Sequence, residues 1–240
     1  MESILIKTSD GSHSLYVKEL DEHYHSIHGA IQEGKHVFIE MGVKALPFAN
    51  KTSAPPLLLE KGEGGFSSIN ILEIGLGTGL NALLTHLEIL KNPIHIYYTA
   101  LEAFPLNAEI INQLNYIELL DAKPHRAFFD HIHSCEWGKD IPLSPYFVLH
   151  KIKNTLQVVK FENQFDIIYF DAFGPRVQPE MWTEEIFTKI YAATKSDGFL
   201  VTYCAKGEVK RTLRKVGFTV ETLQGPPGKR EMVRARKNNS

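Results

Sequence analysis

Asp171 is the residue whose surroundings carry the most chemistry. It ends the apolar run Phe165-Asp166-Ile167-Ile168-Tyr169-Phe170 and opens the irregular turn Ala172-Phe173-Gly174-Pro175. A carboxylate at such a strand end can hydrogen-bond an amine N–H, aim the nitrogen lone pair and take up the released proton. The plainer role of a strand-end aspartate is to cap the next helix, but Pro179 suits a helix first turn and places that start too far along. Two further groups fall in the order that a ligand site needs. Gly75-Leu76-Gly77-Thr78-Gly79 follows the apolar run Ile69 to Ile74 and lets the backbone turn tightly beneath a ligand. Glu102 closes the run Ile94 to Leu101, 23 residues beyond Gly79, where a doubly wound fold places the carboxylate that accepts both ribose hydroxyls. A solvated strand end is the alternative for Glu102.

The elements that must position these groups surround them. Ile69-Asn70-Ile71-Leu72-Glu73-Ile74 reads as a buried strand. After the glycines, Leu80, Leu83, Leu84, Leu87 and Leu90 recur at helical spacing, so a helix N-terminus points at whatever lies over the loop. Glycines at the first, third and fifth positions miss the dinucleotide pattern of first, third and sixth, and no Lys-Ser/Thr pair follows to make a P-loop. Asn81 stands two residues after the last glycine, and Glu73 before the loop with the Gly-x-Gly-x-Gly after it resembles the first motif of class I S-adenosylmethionine-dependent methyltransferases. That resemblance implies transfer of a sulfonium methyl, and an amine acceptor would need its lone pair presented by Asp171.

Taken in order, residues 1–50 contain short alternating runs, Ser14-Leu15-Tyr16-Val17 and His36-Val37-Phe38-Ile39, and predict a small antiparallel β unit. Pro55-Pro56 and Lys61-Gly62-Glu63-Gly64-Gly65 mark a flexible approach to the main domain, 51–240. A helix is expected over 105–120, with Leu106, Ile110, Leu114 and Ile117 on one face. The segment 121–164 is the least readable. Its His131-x-His133-x-Cys135 would put three ligands on one side of a strand, but a fourth is missing and no metal site is expected. Beyond Asp171, a helix carries Ile186, Phe187, Ile190 and Tyr191, a strand covers Gly198 to Cys204, and a helix carries Val209, Leu213 and Val216. A hairpin then closes around Gly225-Pro226-Pro227-Gly228. The fold expected is α/β, a Rossmann-like doubly wound sheet with a carboxy-terminal antiparallel hairpin.

The bulk numbers exclude other classes. With 240 residues and 43% apolar content the chain can bury a sizeable core. It shows no apolar run of about 18 residues, no secretory signal, and two distant cysteines that suggest no disulfide framework; a cytoplasmic, membrane-free protein is expected. Net charge is −2, yet residues 205–240 hold ten Lys/Arg against three Asp/Glu, which leaves −9 for the rest. Such asymmetry suits a polyanionic partner met at one end.

Several stretches resemble the methyltransferase domain of the bifunctional tRNA 5-methylaminomethyl-2-thiouridine biosynthesis proteins. They are Phe170-Asp171-Ala172-Phe173-Gly174-Pro175 with Pro179-Glu180-Met181-Trp182-Thr183, then Glu102-Ala103-Phe104-Pro105-Leu106, Gly217-Phe218-Thr219, Gly228-Lys229-Arg230-Glu231-Met232, and Tyr24-His25-Ser26-x-x-Gly29. The resemblance implies S-adenosylmethionine as cofactor and methylation of the side-chain amine of 5-aminomethyl-2-thiouridine at the tRNA wobble position. It implies Asp171 as the catalytic aspartate and Glu102 as the ribose ligand, with Tyr24, Glu73, Gly75, Gly77, Thr78, Gly79, Asn81 and Asn154 around the cofactor. Phe173, Gly174, Pro175, Lys229 and Arg230 would meet the anticodon region, Phe173 by stacking on the wobble base and the basic residues at phosphates. Bifunctional members add a flavin-dependent oxidase, so a chain ending at Ser240 is expected to act without FAD, with a separate enzyme supplying the aminomethyl substrate. One departure stands out: His150-Lys151-Ile152-Lys153-Asn154 lacks the family's usual Gly-Asp facing adenine, and only Asn154 offers a polar substitute.

Three other readings share some of these features. An aminopropyltransferase of the spermidine synthase type would use a decarboxylated relative of the cofactor, but calls for an acidic polyamine pocket where this chain has Lys229-Arg230. A nicotinamide oxidoreductase is disfavoured by the glycine spacing. A non-catalytic tRNA-binding module would not need both the glycine loop and Asp171.

Overall fold

In the computed structural model, residues 3–46 and 68–238 are described. The first of these segments holds a three-stranded antiparallel sheet of β1 (Ser3–Lys7), β2 (His13–Val17) and β3 (Glu22–His23), followed by α1 (Ala30–Gly34). The chain continues from α1 into a wide, π-type turn at Lys35–Glu40. This corrects the strand expected at His36–Ile39. Val37, Phe38 and Ile39 are buried in succession, which an alternating strand cannot do, and Phe38 packs on Tyr169 with ring centroids 5.0 Å apart. Tertiary packing has overridden the β preference of these residues. The Pro55-Pro56 and Lys61–Gly65 stretches lie outside the described residues.

The main sheet begins with β4 (Ile69–Ile74), α2 (Leu80–Ile89) and β5 (Ile96–Glu102), as the periodicity implied. Over 105–120 the single helix gives way to two one-turn helices, α3 (Ala108–Ile111) and α4 (Tyr116–Leu119). Asn115 breaks it: its side chain accepts from His13 N at 2.8 Å and donates to Gly11 O at 3.0 Å, tying the break to the first sheet. Next come α5 (Arg126–Ser134), β6 (Asp140–Ser144), β7 (Phe147–Lys153) and β8 (Phe165–Phe170). His131 and His133 therefore sit on a helix rather than a strand, and no metal-binding cluster occurs among the described residues. The remaining elements are α6 (Glu184–Ala193), β9 (Thr194–Thr202), α7 (Gly207–Lys215), β10 (Thr219–Gln224) and β11 (Glu231–Arg236).

The eight strands run in the order β10-β11-β9-β8-β4-β5-β7-β6. β9, β8, β4, β5 and β7 are parallel, while β6, β11 and β10 are antiparallel to their neighbours. Strand order reverses between β4 and β8, and ligands in such sheets bind outside the carboxyl ends at that switch point. One apolar layer joins α2 and α5 to the sheet, and the other buries Met181, Trp182, Ile186, Phe187, Val209 and Leu213 from the α6–α7 side. Among the described residues no helix is long and apolar enough to cross a membrane.

Candidate active site

The loops after β4, β5, β7 and β8 open onto one cavity of about 550 Å³. Gly75, Gly77 and Gly79 have φ of +88°, +49° and +72°, a left-handed region in which a side chain is strained. The space is also taken: a Cβ on Gly77 would stand 3.2 Å from the Tyr24 ring, and one on Gly79 2.8 Å from His133 Nε2. Burial pushes the His133 imidazole down to about 4. Its Nε2 lies 3.2 Å from Thr78 O, so the ring fills the space behind the loop and braces it. Lys151 reinforces this from beneath, donating from Nζ to His133 O at 2.9 Å.

Glu102 bridges the glycine loop and its own turn. Oε2 accepts from Gly77 N at 2.9 Å and Oε1 from Phe104 N at 2.7 Å, and each oxygen keeps a lone pair for a further donor. On the opposite side, Asn81 in the first turn of α2 donates from Nδ2 both to Glu73 Oε1 at 3.0 Å and to Asp171 Oδ2 at 2.9 Å. Glu73 is wholly buried under the loop, and burial together with the charge of Asp171 raises its carboxyl well above the usual range. Asp171 is pushed up to about 7, first by desolvation and then by Glu33, while Asn81 and Lys229 pull it back. Burial thus raises both neighbouring carboxyls, Glu73 well above the usual range and Asp171 to near neutrality.

The side of the cavity formed by the turn after Asp171 is aromatic. Phe173 meets Tyr24 edge-on, with centroids 5.2 Å apart. Trp182 Nε1 donates to Phe173 O at 2.7 Å and Tyr203 hydroxyl to Ala172 O at 2.9 Å, which pins the turn after Asp171. Burial pushes the Tyr24 hydroxyl up to about 12.

Of the residues singled out from sequence, Tyr24, Gly75, Gly77, Thr78, Asn81, Glu102, Asn154, Asp171 and Phe173 line this one cavity. Glu73 and Gly79 lie behind it. Gly174 and Pro175 are not among its lining residues; Gly174 O instead accepts from Val177 N and Gln178 N at 2.9 and 3.0 Å, shaping the turn. Lys229 and Arg230 also fall outside the lining, and Lys229 Nζ is held by Glu33 Oε1. Much of the basic carboxy-terminal charge is paired as well, Arg234 and Arg236 with Glu221, Lys210 with Glu231 and Lys215 with Glu184. Leu20, His25, Phe104, Leu156, Gln157 and Met181 line the cavity without having been foreseen. His25, Phe104 and Met181 stand within stretches marked in the sequence, while Leu20, Leu156 and Gln157 do not.

The cavity's donor set suits a nucleoside with an amino-acid tail. Glu102 offers a carboxylate for vicinal hydroxyls, and Asn81 Oδ1 and Thr78 Oγ1 are buried without hydrogen-bond partners among the described residues.

Comparison with known proteins points the same way. Residues 144–238 match a family described as S-adenosyl-L-methionine-dependent methyltransferase. The chain is 28% identical over 222 residues to the tRNA 5-methylaminomethyl-2-thiouridine biosynthesis bifunctional protein MnmC of Leptospira interrogans, covering 90% of this chain and 32% of that protein. It is 32% identical over 181 residues to the protein of the same name from Hydrogenovibrio crunogenus, covering 71% of this chain and 26% of that one. The chain therefore spans about a third, or less, of the length of these curated relatives. The crystal structure of MNMC2 from Aquifex aeolicus shares the fold, with a TM-score of 0.74 at 21% identity over 98% of this chain and 69% of that one.

Proposed function

We propose that this chain, whose residues 144–238 match the S-adenosyl-L-methionine-dependent methyltransferase family, is such a methyltransferase and that its acceptor is the primary amine of 5-aminomethyl-2-thiouridine at the tRNA wobble position, converted to 5-methylaminomethyl-2-thiouridine. The observation that carries this reading is Asp171. Its carboxyl shares one cavity with the glycine loop and Glu102, and it titrates near neutrality. The names of the relatives supply the nucleoside.

When bound, S-adenosylmethionine supplies an electrophilic methyl group. Glu102 would hold the ribose hydroxyls, Asn81 Oδ1 and Thr78 the polar tail, and Asn154 would stand in for an acid near the base. Asn81 Nδ2 fixes one oxygen of Asp171 and leaves the other for the amine N–H. Asp171 orients the amine so that its lone pair faces the methyl donor, then takes the proton that the nitrogen loses. A base with a pKa near the working pH suits this role, and most of the rate comes from holding the groups in line. Phe173 stacks on the flipped-out base. The exposed Arg230, Lys206, Arg211 and Arg214 meet backbone phosphates. In this reading residues 1–50 cover the substrate face of a methyltransferase domain, 51–240, and a separate activity forms the aminomethyl group.

The test is nucleoside analysis of tRNA carrying 5-aminomethyl-2-thiouridine after incubation with enzyme and either S-adenosylmethionine or its decarboxylated form. Conversion to 5-methylaminomethyl-2-thiouridine with the first alone is expected. An aminopropylated product with the second, or no change in the tRNA, would overturn the reading.

A further inference from the structure

One buried ion pair beside the cavity joins the two ends of the chain. Glu33 of α1 and Lys229 of the β10–β11 turn lie 196 residues apart in sequence and are bonded through Oε1 and Nζ. The Glu33 side chain is 8% exposed and that of Lys229 29%. Glu33 Oε2 also accepts from Ser26 N at 2.7 Å. Lys229 Nζ lies 3.8 Å from the centroid of the Tyr203 ring, whose hydroxyl holds the carbonyl of Ala172, the residue after Asp171. The same turn presses on the amino-terminal segment elsewhere. A Cβ on Gly228 would fall 1.9 Å from the His28 ring, and His36 Nε2 reaches Gln224 O at 2.8 Å. α1 in turn packs on α2 at Gly34, where a Cβ would meet Leu84 at 2.8 Å and Asn81 Oδ1 at 3.1 Å. Both ends of the pair therefore abut residues that hold Asp171, Asn81 through α1 and Ala172 through Tyr203.

A lysine that serves RNA phosphates gains nothing from a buried acid of its own. Breaking a buried pair leaves an uncompensated charge, which is costly. We propose that Glu33 and Lys229 are positioning residues: their ion pair clasps the amino-terminal segment to the closing hairpin and sets the electrostatic field in which Asp171 works. Among the described residues, the charged and titratable groups that act on or respond to Asp171 are Glu33, Lys229, Glu73, Tyr98 and Tyr203, and His25 in the same cavity faces Glu33 and Lys229. Glu33 opposes ionisation of Asp171 and Lys229 favours it, so removing either charge acts in the opposite sense to removing the other. This rests on Asp171 being the base, but its first test needs no tRNA.

The experiment is a carboxyl 13C NMR titration of cofactor-free protein labelled at aspartate, with the Asp171 signal assigned by its loss in Asp171→Asn. Glu33→Gln is expected to lower the Asp171 midpoint and Lys229→Met to raise it, each by roughly one pH unit. Lys229→Arg and the double variant Glu33→Gln/Lys229→Met should return it close to wild type. Unmoved midpoints, or shifts in the same direction, would overturn the proposal. If Lys229→Met does not fold, Glu33→Gln and Lys229→Arg still decide it. Alongside, tRNA affinity across a salt series is expected to keep its wild-type slope in Lys229→Arg and Lys229→Met. A shallower slope in Lys229→Met with an unmoved Asp171 midpoint would make Lys229 a phosphate contact instead. Failure of the wild type to methylate tRNA would count against the substrate reading alone, since the titration remains readable.

Discussion

Asn81→Leu probes the carboxylate pair with little change in volume. One amide nitrogen serves both acids, Asp171 Oδ2 at 2.9 Å and Glu73 Oε1 at 3.0 Å. Burial already raises the Glu73 carboxyl well above the usual carboxylate range, so the effect of the variant is read on Asp171. A hydrogen bond to a charged group contributes about 1.5–3 kcal/mol, and about 1.4 kcal/mol corresponds to one pKa unit. Without it, Asp171 should move from about 7 upward by roughly one to two units. At neutral pH its ionised fraction then falls from about one half to between about one-tenth and one-hundredth, a rate loss of roughly 5- to 50-fold. The assay is single-turnover methyl transfer at saturating substrate from about pH 6 to about pH 9. Calorimetry with S-adenosylhomocysteine beside it corrects for any loss of cofactor contact at Asn81 Oδ1. Recovery of the rate at alkaline pH is expected. A loss that is constant across pH, with an unchanged midpoint, would refute the idea that Asn81 acts by stabilising the Asp171 carboxylate.

Asp171→Asn should stabilise the fold at alkaline pH. Asp171 is raised from 3.8 to about 7, so the native state binds the extra proton and wild-type stability declines as pH rises between those values, with no difference below them. The upper bound is about 4 kcal/mol; cavity water reduces it to roughly 1–3 kcal/mol, or a Tm higher by roughly 2–10 °C at about pH 8. Equal melting of the two proteins at that pH would sink this. Glu102→Ala removes the acceptor of Gly77 N and Phe104 N as well as the carboxylate proposed to hold the ribose, and S-adenosylhomocysteine should bind roughly 100-fold more weakly by calorimetry; an unchanged Kd would leave Glu102 a solvated strand end. Replacing the exposed Arg211 and Arg230 with alanine should lower the slope of log tRNA affinity against log salt by roughly 0.7–0.9 per residue. Parallel lines for variant and wild type would place the RNA elsewhere.

The strand–glycine loop–helix unit, the β5 strand ending in Glu102 and the β8 strand ending in Asp171 were legible because each is a contiguous run whose period and punctuation are local. The closing hairpin was legible for the same reason, from Gly225-Pro226-Pro227-Gly228. What the sequence could not show depends on contacts between distant segments. His36–Ile39 looks like a strand until Phe38 is seen to need Tyr169, and the helix at 105–120 breaks because Asn115 is held by Gly11 and His13. β6 and β7 were missed where polar residues dilute the apolar run, although Phe147, Leu149 and Lys151 alternate inward. Lys151 was the least readable residue, a lysine facing inward to brace His133. The charge asymmetry of the last 36 residues was read correctly as a count. It overstated the free positive surface, because Glu184 and Glu33, from outside those residues, pair with Lys215 and Lys229 in space.

The most direct test of Asp171 as the proton acceptor is the pH dependence of single-turnover methyl transfer to tRNA carrying 5-aminomethyl-2-thiouridine, for wild type and Asp171→Asn, with S-adenosylhomocysteine affinity measured for both. The wild-type rate is expected to rise through a midpoint near 7. Asp171→Asn should lose that midpoint and run roughly 100- to 10,000-fold slower, with cofactor affinity within roughly tenfold of wild type. A variant that methylates at close to the wild-type rate, with the same midpoint, would remove Asp171 from the chemistry.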